Sequence, residues 1–254
     1  MDRLEFCRQL ARDAGALALE SFGQAASELK GRHDVVTAAD REVERFIRRE
    51  IAVRYPGEAM IGEEEGGSAA ERVWIVDPID GTANFARGIP HWCVSIAYAE
   101  RGAPAVGAIA EPCRGIVYSA ARGEGAWLGG ELMRVSDCTA LEGATVEIGW
   151  STRRPVEAYV ALVDRVLRAG CAFRRVGSGA LGLVDVAAGR SEGYCELHIN
   201  AWDCAAGLLL VEEAGGRVND FFAGEGMAAG NPIIATNAAL ADALAAVIGI
   251  PLKT

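Results

Sequence analysis

WIVDPIDGTANF, residues 74–85, runs from an apolar, strand-forming triplet (Trp74, Ile75, Val76) straight into two carboxylates, Asp77 and Asp80. Pro78 has no N–H and a fixed φ, so the chain is expected to bend out of the sheet there and turn both acids into one small volume. No Lys or Arg lies between Asp77 and Thr82 to neutralise them. Two converging acids share a proton, pair with a base from elsewhere, or bind a hard divalent ion. The Ile79 carbonyl between them is a further oxygen donor, and Gly81 with Thr82 offers backbone N–H groups that can face a phosphate oxygen. On these residues alone, an acidic surface turn after a strand stands as the alternative to a metal site.

The pattern repeats upstream, where Ala59-Met60-Ile61 ends in Gly62 followed by Glu63, Glu64 and Glu65. Further towards the N-terminus, Leu4, Cys7, Leu10, Ala14, Leu17 and Ala18 fall at helical spacing within residues 2–22, which predicts an amphipathic helix. Residues 25–39, with Lys30, Gly31, Arg32, His33 and Asp34, read as a loop. Helical spacing resumes at Asp40 with Val43, Phe46, Ile47 and Ile51 and closes at Tyr55-Pro56-Gly57. Capping that helix is the plain structural reading of Asp40.

Downstream, His91 reads as a structural or rim residue, and three apolar runs (92–99, 105–110, 115–120) separated by Gly/Pro turns predict an antiparallel meander, with a hairpin at 123–130. Strands are expected at 145–148, 171–176, 193–197, 217–220 and 233–235. Helices are expected at 155–167, after Gly177-Ser178-Gly179, from Ala201 through Glu213, and at 238–248. Interleaved helices and strands with antiparallel neighbours favour a layered α/β or α+β sandwich over a parallel barrel. There is no repeat and no linker long enough to divide the chain, so residues 1–254 are expected to form one domain.

At 254 residues, with 51% hydrophobic and 24% charged residues, the chain has an ordinary globular balance rather than a disordered one. A net charge of −10 argues against nucleic acid or an anionic membrane as the main partner. It is compatible with a phosphorylated substrate if bound cations mediate. The cysteines (Cys7, Cys93, Cys113, Cys138, Cys171, Cys195, Cys204) are odd in number and contain no C-x-x-C pair, the usage of a reducing, cytoplasmic setting. Neither a leader segment nor an apolar run of about eighteen residues is apparent.

Four separated pieces, Gly62 to Glu64 (GEE), Asp77 to Thr82 (DPIDGT), Ala201 to Gly207 (AWDCAAG) and Glu212 to Gly216 (EEAGG), together resemble the inositol monophosphatase family of metal-dependent, lithium-sensitive phosphatases. The likeness runs in order over nearly the whole chain. It implies a layered α-β-α-β-α sandwich and a homodimer. It also implies metal ligands at Glu63, Asp77, the Ile79 carbonyl, Asp80 and Asp203, whose local alternative is an acid compensating a helix dipole. By the same resemblance Thr82 stands beside the metal-activated water with Asp40 as its partner, Gly81 and Thr82 clamp phosphate, and Glu196 and Ser178 touch substrate hydroxyls. Lys30 falls near a family lysine, one residue short in spacing. Ala83 stands where many members have a second threonine, Gly179 where alanine is commoner, and Asn200 where animal enzymes have histidine.

The mechanism this implies is in-line attack of a Mg²⁺-activated water on a phosphate monoester, with Asp40, Glu63 and Thr82 as catalytic residues. One Mg²⁺ is expected at Glu63, Asp77 and the Ile79 carbonyl, a second between Asp77, Asp80 and Asp203, and a third, weaker one near Glu63. An all-oxygen donor set prefers Mg²⁺ to zinc. The substrate expected is a small polyol phosphate, myo-inositol monophosphate first and histidinol phosphate second. Fructose 1,6-bisphosphate and a non-catalytic binding role rank lower.

Overall fold

In the computed structural model the described residues are 2–24, 27–31 and 34–253, with the backbone alone described over 27–31 and 34–36. Two sheets and three helical layers stack in the order α-β-α-β-α. The first sheet orders seven strands as β3 (Ala59–Gly62), β4 (Arg72–Asp80), β5 (Cys93–Glu100), β6 (Ala103–Glu111), β7 (Ile116–Ala121), β8 (Gly125–Leu128) and β9 (Glu131–Leu132). Only β3 and β4 run parallel, and the rest form the expected meander. The second sheet has the order β11 (Ala172–Arg174), β10 (Thr145–Ile148), β12 (Gly193–Ile199), β14 (Asn231–Thr236), β13 (Arg217–Val218).

Side-chain alternation assigns the layers. Along β4, Trp74 and Val76 enter one core with α1 (Arg3–Leu19) and α2 (Ala38–Arg54), whereas Val73 and Ile75 enter another with α5 (Gly179–Ala187) and α6 (Ala201–Glu213). Helix α1 is amphipathic and buries Cys7, Leu10, Ala11, Ala14 and Ala18 on one face. Helix α6 has no polar face over its middle, because residues 204–211 are all buried between the two sheets. Gly107 lets it approach: a Cβ there would lie 3.0 Å from the Ala206 Cα. The outer face of the second sheet is covered by α4 (Val156–Arg168) and α8 (Ala241–Ile248) through Val146, Ile148, Leu162, Val166, Ile234 and Leu244.

Two expectations change. Part of the stretch read as a loop at 25–39 is an antiparallel hairpin, β1 (Ser27–Gly31) with β2 (Asp34–Thr37); its polar composition hid the strand signal. The Lys30 side chain lies outside the described residues. Strand β4 also does not end at Val76. It continues to Asp80 through a bulge, because Asp77 pairs with Ser95 and Asp80 with Cys93, leaving one extra residue on β4. Without that bulge, residues three apart in a strand would point to opposite faces; with it, Asp77 and Asp80 share the face towards α5 and α6. Pro78, with no N–H to offer the ladder, sits within the irregular step.

Candidate active site

Asp77 and Asp80 arrive from the β4 bulge, Asp203 from the first turn of α6, and Glu63 from the turn after β3. Asp77, Asp80 and Asp203 each offer an oxygen within 4.8 Å of the others. Burial holds Asp77 well above the carboxylate range, reinforced by the negative charges of Glu63, Asp80, Asp203 and Asp40. Burial and then Asp80 raise Asp203. Asp80 is raised by burial against the opposing effect of its hydrogen bonds, from the Ser178 hydroxyl (2.5 Å), the Ala180 amide (2.7 Å) and the Gly179 amide (3.3 Å). Oxygen donors and concentrated negative charge suit a hard divalent cation.

Asp77, Asp203 and Asp40 are each positioned by a backbone amide bound to one carboxylate oxygen. Asp77 Oδ1 accepts from the Ile79 amide (2.9 Å). Asp203 Oδ2 accepts from the Asn200 amide (3.0 Å), closing the start of α6. Asp40 does the same for α2: its Oδ2 accepts from the Thr37 amide (2.8 Å) and hydroxyl (2.6 Å). Thr37 is therefore the N-cap, and Asp40 stands three residues in, which corrects the simple capping reading. Asp40 Oδ1 faces the Thr82 hydroxyl at 3.1 Å, and the Ile79 carbonyl lies 3.0 Å from the same hydroxyl, so one hydrogen has two acceptors in reach. Burial raises Asp40 despite these bonds, which makes it a better base.

Gly81 caps the short helix α3 (Thr82–Ala86) with φ +92°, a conformation that favours glycine, and a Cβ would crowd the carbonyls of His91 and Gly177. Ser178 lines the cleft, but its hydroxyl is engaged: it donates to Asp80 and accepts from the Leu181 amide (3.2 Å). The structure therefore places Ser178 as a support of Asp80. Glu196, almost fully buried on β12, has a carboxyl pushed up to about 8 by burial and accepts from the Tyr194 hydroxyl at 2.8 Å. A Cβ at Gly149 would overlap both Glu196 and Tyr194, so this glycine makes room for the pair.

Two supports escaped the sequence reading. Glu44 is fully buried, and its carboxylate accepts from the Glu64 amide (2.7 Å), the Glu65 amide (3.0 Å) and Arg48 (2.8 Å), fixing the turn that carries Glu63. Tyr194 fixes Glu196. The cleft over these groups has a volume of about 290 Å³ and is lined by Glu63, Asp80, Asp203, Glu196 and the loops at 149–153 and 175–179.

Similarity to known proteins agrees with this geometry. The chain is 37% identical over 250 residues to a Thermotoga maritima protein named fructose-1,6-bisphosphatase/inositol-1-monophosphatase, covering 98% of this chain and 96% of that one. It is 43% identical over 195 residues to the Nus factor SuhB of Xylella fastidiosa, 76% of this chain and 71% of the relative. The solved structure of a Thermotoga maritima IMPase superposes with a TM-score of 0.88 at 36% identity, covering 98% of this chain and 97% of that chain. Residues 2–249 match the inositol monophosphatase family as a whole, and the chain belongs to that family of metal-dependent phosphatases.

Proposed function

We propose that this phosphatase is a Mg²⁺-dependent phosphomonoesterase of small polyol phosphates, with myo-inositol monophosphate as the leading substrate. The observation that carries the reading is the convergence of Asp77, Asp80 and Asp203 within 4.8 Å beside the Thr82–Asp40 pair. Glu63, Asp77, the Ile79 carbonyl, Asp80 and Asp203 would hold two or three Mg²⁺ ions. When bound, these supply charge neutralisation for an anionic ester and acidity for water.

The chain's own residues do the rest. With the Thr82 hydrogen on Asp40 Oδ1, a lone pair of Thr82 accepts from the attacking water and points its oxygen towards phosphorus. As that water loses its proton, Thr82 takes it and passes its own to Asp40, whose raised pKa favours receiving it. The amides of Gly81 and Thr82 hold phosphate oxygens. Glu196, turned by Tyr194, accepts hydrogen bonds from hydroxyls of the leaving group. Ser178 acts there only through Asp80.

The whole chain would act as one such catalytic domain, sensitive to lithium. A homodimer is supported by the exposed apolar residues Phe173 on edge strand β11 and Val156 and Val160 on α4. A cytoplasmic setting is supported by seven free cysteines, and no described helix is long and apolar enough to cross a membrane. The test is phosphate release from inositol 1-phosphate, histidinol phosphate and fructose 1,6-bisphosphate with and without Mg²⁺. The reading expects strict Mg²⁺ dependence and the highest kcat/KM on a polyol phosphate. Metal-independent release, or none from any of the three, would overturn it.

A further inference from the structure

Asn84, on the short helix α3, is tied to Gly81 by its backbone: its amide donates to the Gly81 carbonyl (2.8 Å). Its own carbonyl accepts from the Arg87 and Ile89 amides, at 3.0 Å each. The side chain reaches out of this turn. Nδ2 donates to the His91 carbonyl (2.8 Å), on the segment entering β5, and to the Val176 carbonyl (2.9 Å), on the segment entering α5. A carboxamide NH₂ carries two hydrogens, and both acceptors here are uncharged. The first bond is local and closes the connection from α3 to β5. The second spans 92 residues in sequence and joins that connection to the helix whose start holds Asp80 through Ser178, Gly179 and Ala180.

Two glycines meet at the same junction. A Cβ on Gly81 would lie 3.2 Å from the His91 carbonyl oxygen and 3.3 Å from that of Gly177. Gly177 itself has φ +86°, and a Cβ there would lie 3.3 Å from Asn84 Nδ2. The backbones are thus in close approach, and Asn84 is the side chain that bridges them. Its bonds differ in kind from those at the start of α5. Ser178, Gly179 and Ala180 donate to a carboxylate whose charge a bound cation would share, whereas carbonyl acceptors are the same with a cation or without one. Helix α3 does not depend on Asn84 for its anchorage. Phe85 is fully buried, with its ring centre 4.8 Å from that of Trp92 and 5.7 Å from that of Phe22, so apolar packing holds the turn and the carboxamide sets its alignment.

We infer that Asn84 is a positioning residue for the phosphate: it fixes the backbone at Gly81 and Thr82 relative to the start of α5, and so sets where an ester phosphate is gripped with respect to Asp80. The inference rests on the reading of Gly81 and Thr82 as the phosphate clamp and adds to it the side chain that aligns the clamp. Misalignment of the reacting group by a fraction of an ångström lowers turnover without removing any group that touches it. The effect belongs to the phosphate and not to the leaving group, which separates Asn84 from Glu196.

The test uses Asn84→Ala, which removes the bridge, and the nearly isosteric Asn84→Asp, which sets an oxygen against two carbonyl oxygens. Inorganic phosphate is titrated calorimetrically into wild type and both variants at saturating Mg²⁺. In parallel, kcat and KM are measured for inositol 1-phosphate and p-nitrophenyl phosphate, with the Mg²⁺ activation midpoint and Tm. Phosphate binding is expected to weaken roughly fivefold or more and kcat to fall roughly tenfold or more, by the same factor within about twofold on both esters. The Mg²⁺ midpoint should stay within about twofold of wild type, because Asp80 keeps its own three donors. Phosphate binding within about twofold of wild type in both variants overturns the inference whatever Tm does, and so does a loss of kcat confined to one ester. A Mg²⁺ midpoint that moves further than the phosphate affinity also overturns it, since Asn84 would then support Asp80 and not the clamp. Should the Asn84 variants fail to fold, Gly177→Ala presses on Asn84 Nδ2 from the other side; the same losses are expected, and unchanged phosphate binding overturns the inference. Wild type that binds no inorganic phosphate with Mg²⁺ sinks the clamp and this inference together, whereas wild-type binding matched by the variants sinks the role of Asn84 alone.

Discussion

Glu44→Gln isolates the support beneath Glu63. The wild-type carboxylate accepts three hydrogen bonds: Oε2 from the Glu64 amide, Oε1 from the Glu65 amide and from Arg48. Glutamine keeps the shape but must turn its NH₂ towards at least one of these donors. One charge-assisted bond is lost, the others become neutral and weaker, and one donor is left buried against another donor. At about 1.5–3 kcal/mol for a bond to a charged acceptor, the total is about 2–4 kcal/mol. Part lowers global stability and part falls on the turn at residues 63–65, where it opposes placing Glu63 at the metal. If about 1.4–2.8 kcal/mol reaches the turn, apparent Mg²⁺ affinity falls roughly tenfold to a hundredfold. The assay is phosphate release against Mg²⁺ concentration, with Tm measured in parallel. The expected result is a rightward shift of the activation curve with near-normal turnover at saturating Mg²⁺. Gly62→Ala should act the same way, since its Cβ would overlap the Glu44 carboxylate. An unshifted activation curve accompanied by a lower Tm would refute the reasoning, because Glu44 would then serve stability alone.

Tyr194→Phe removes the hydroxyl that turns Glu196, at a cost of about 1–2 kcal/mol. KM for inositol 1-phosphate should rise roughly five- to thirtyfold with kcat little changed, while p-nitrophenyl phosphate, whose leaving group has no hydroxyls to bind, is unaffected; a parallel loss on both substrates would count against the role. Asp40→Asn should lower kcat by roughly a hundredfold or more, the scale of a lost general base, with the Mg²⁺ activation midpoint nearly unmoved; a large shift in that midpoint would make Asp40 a ligand. Stability of the metal-free protein should fall between about pH 5.5 and 8. Burial raises both Glu147 and Glu196 to about 8, so the folded chain binds more protons than the unfolded one in this range, and the stability present below the ordinary carboxylate pKa is lost as pH rises through 8. Tm measured without metal at the two pH values checks this, and Glu147→Gln should flatten part of the slope; a Tm that rises with pH contradicts it.

Much of the fold could be read from residue periodicity. The three strands of the meander, strand β10 and helices α4 to α6 were legible because each is long enough to show its period or is bounded by glycine. Asp77 and Asp80 stood out because both follow an apolar run, with a surface turn as the alternative, whereas Glu63 and Asp203 joined them only through the family resemblance. What stayed hidden depends on partners distant in sequence. The bulge that puts Asp77 and Asp80 on one face appears only in the pairing of β4 with β5. Glu44 lies four residues before Arg48, and on a helix that spacing reads as an exposed ion pair; nothing local shows that the turn after β3 buries it. Ser178 was assigned to substrate hydroxyls by the family resemblance, and its hydroxyl, at the start of α5, donates to Asp80 at the end of β4.

The two acids delivered by helices share a construction that bears on how the site tolerates its own repulsion. Asp40 and Asp203 each stand three residues into a helix and give one oxygen to the amide of the capping residue, Thr37 or Asn200. That bond favours the charged form and secures the helix start, so part of the cost of bringing a negative charge to the site is offset within the same residue. The acids delivered by the strand bulge are supported in the same way, Asp77 by the Ile79 amide and Asp80 by the amides of Gly179 and Ala180. Backbone N–H groups cannot be protonated away or swing out of reach, whereas a lysine would neutralise the cluster and compete with a cation for it. Support by amides orients the carboxylates yet leaves their charge uncancelled, which is the condition a site needs if a divalent ion is to complete it.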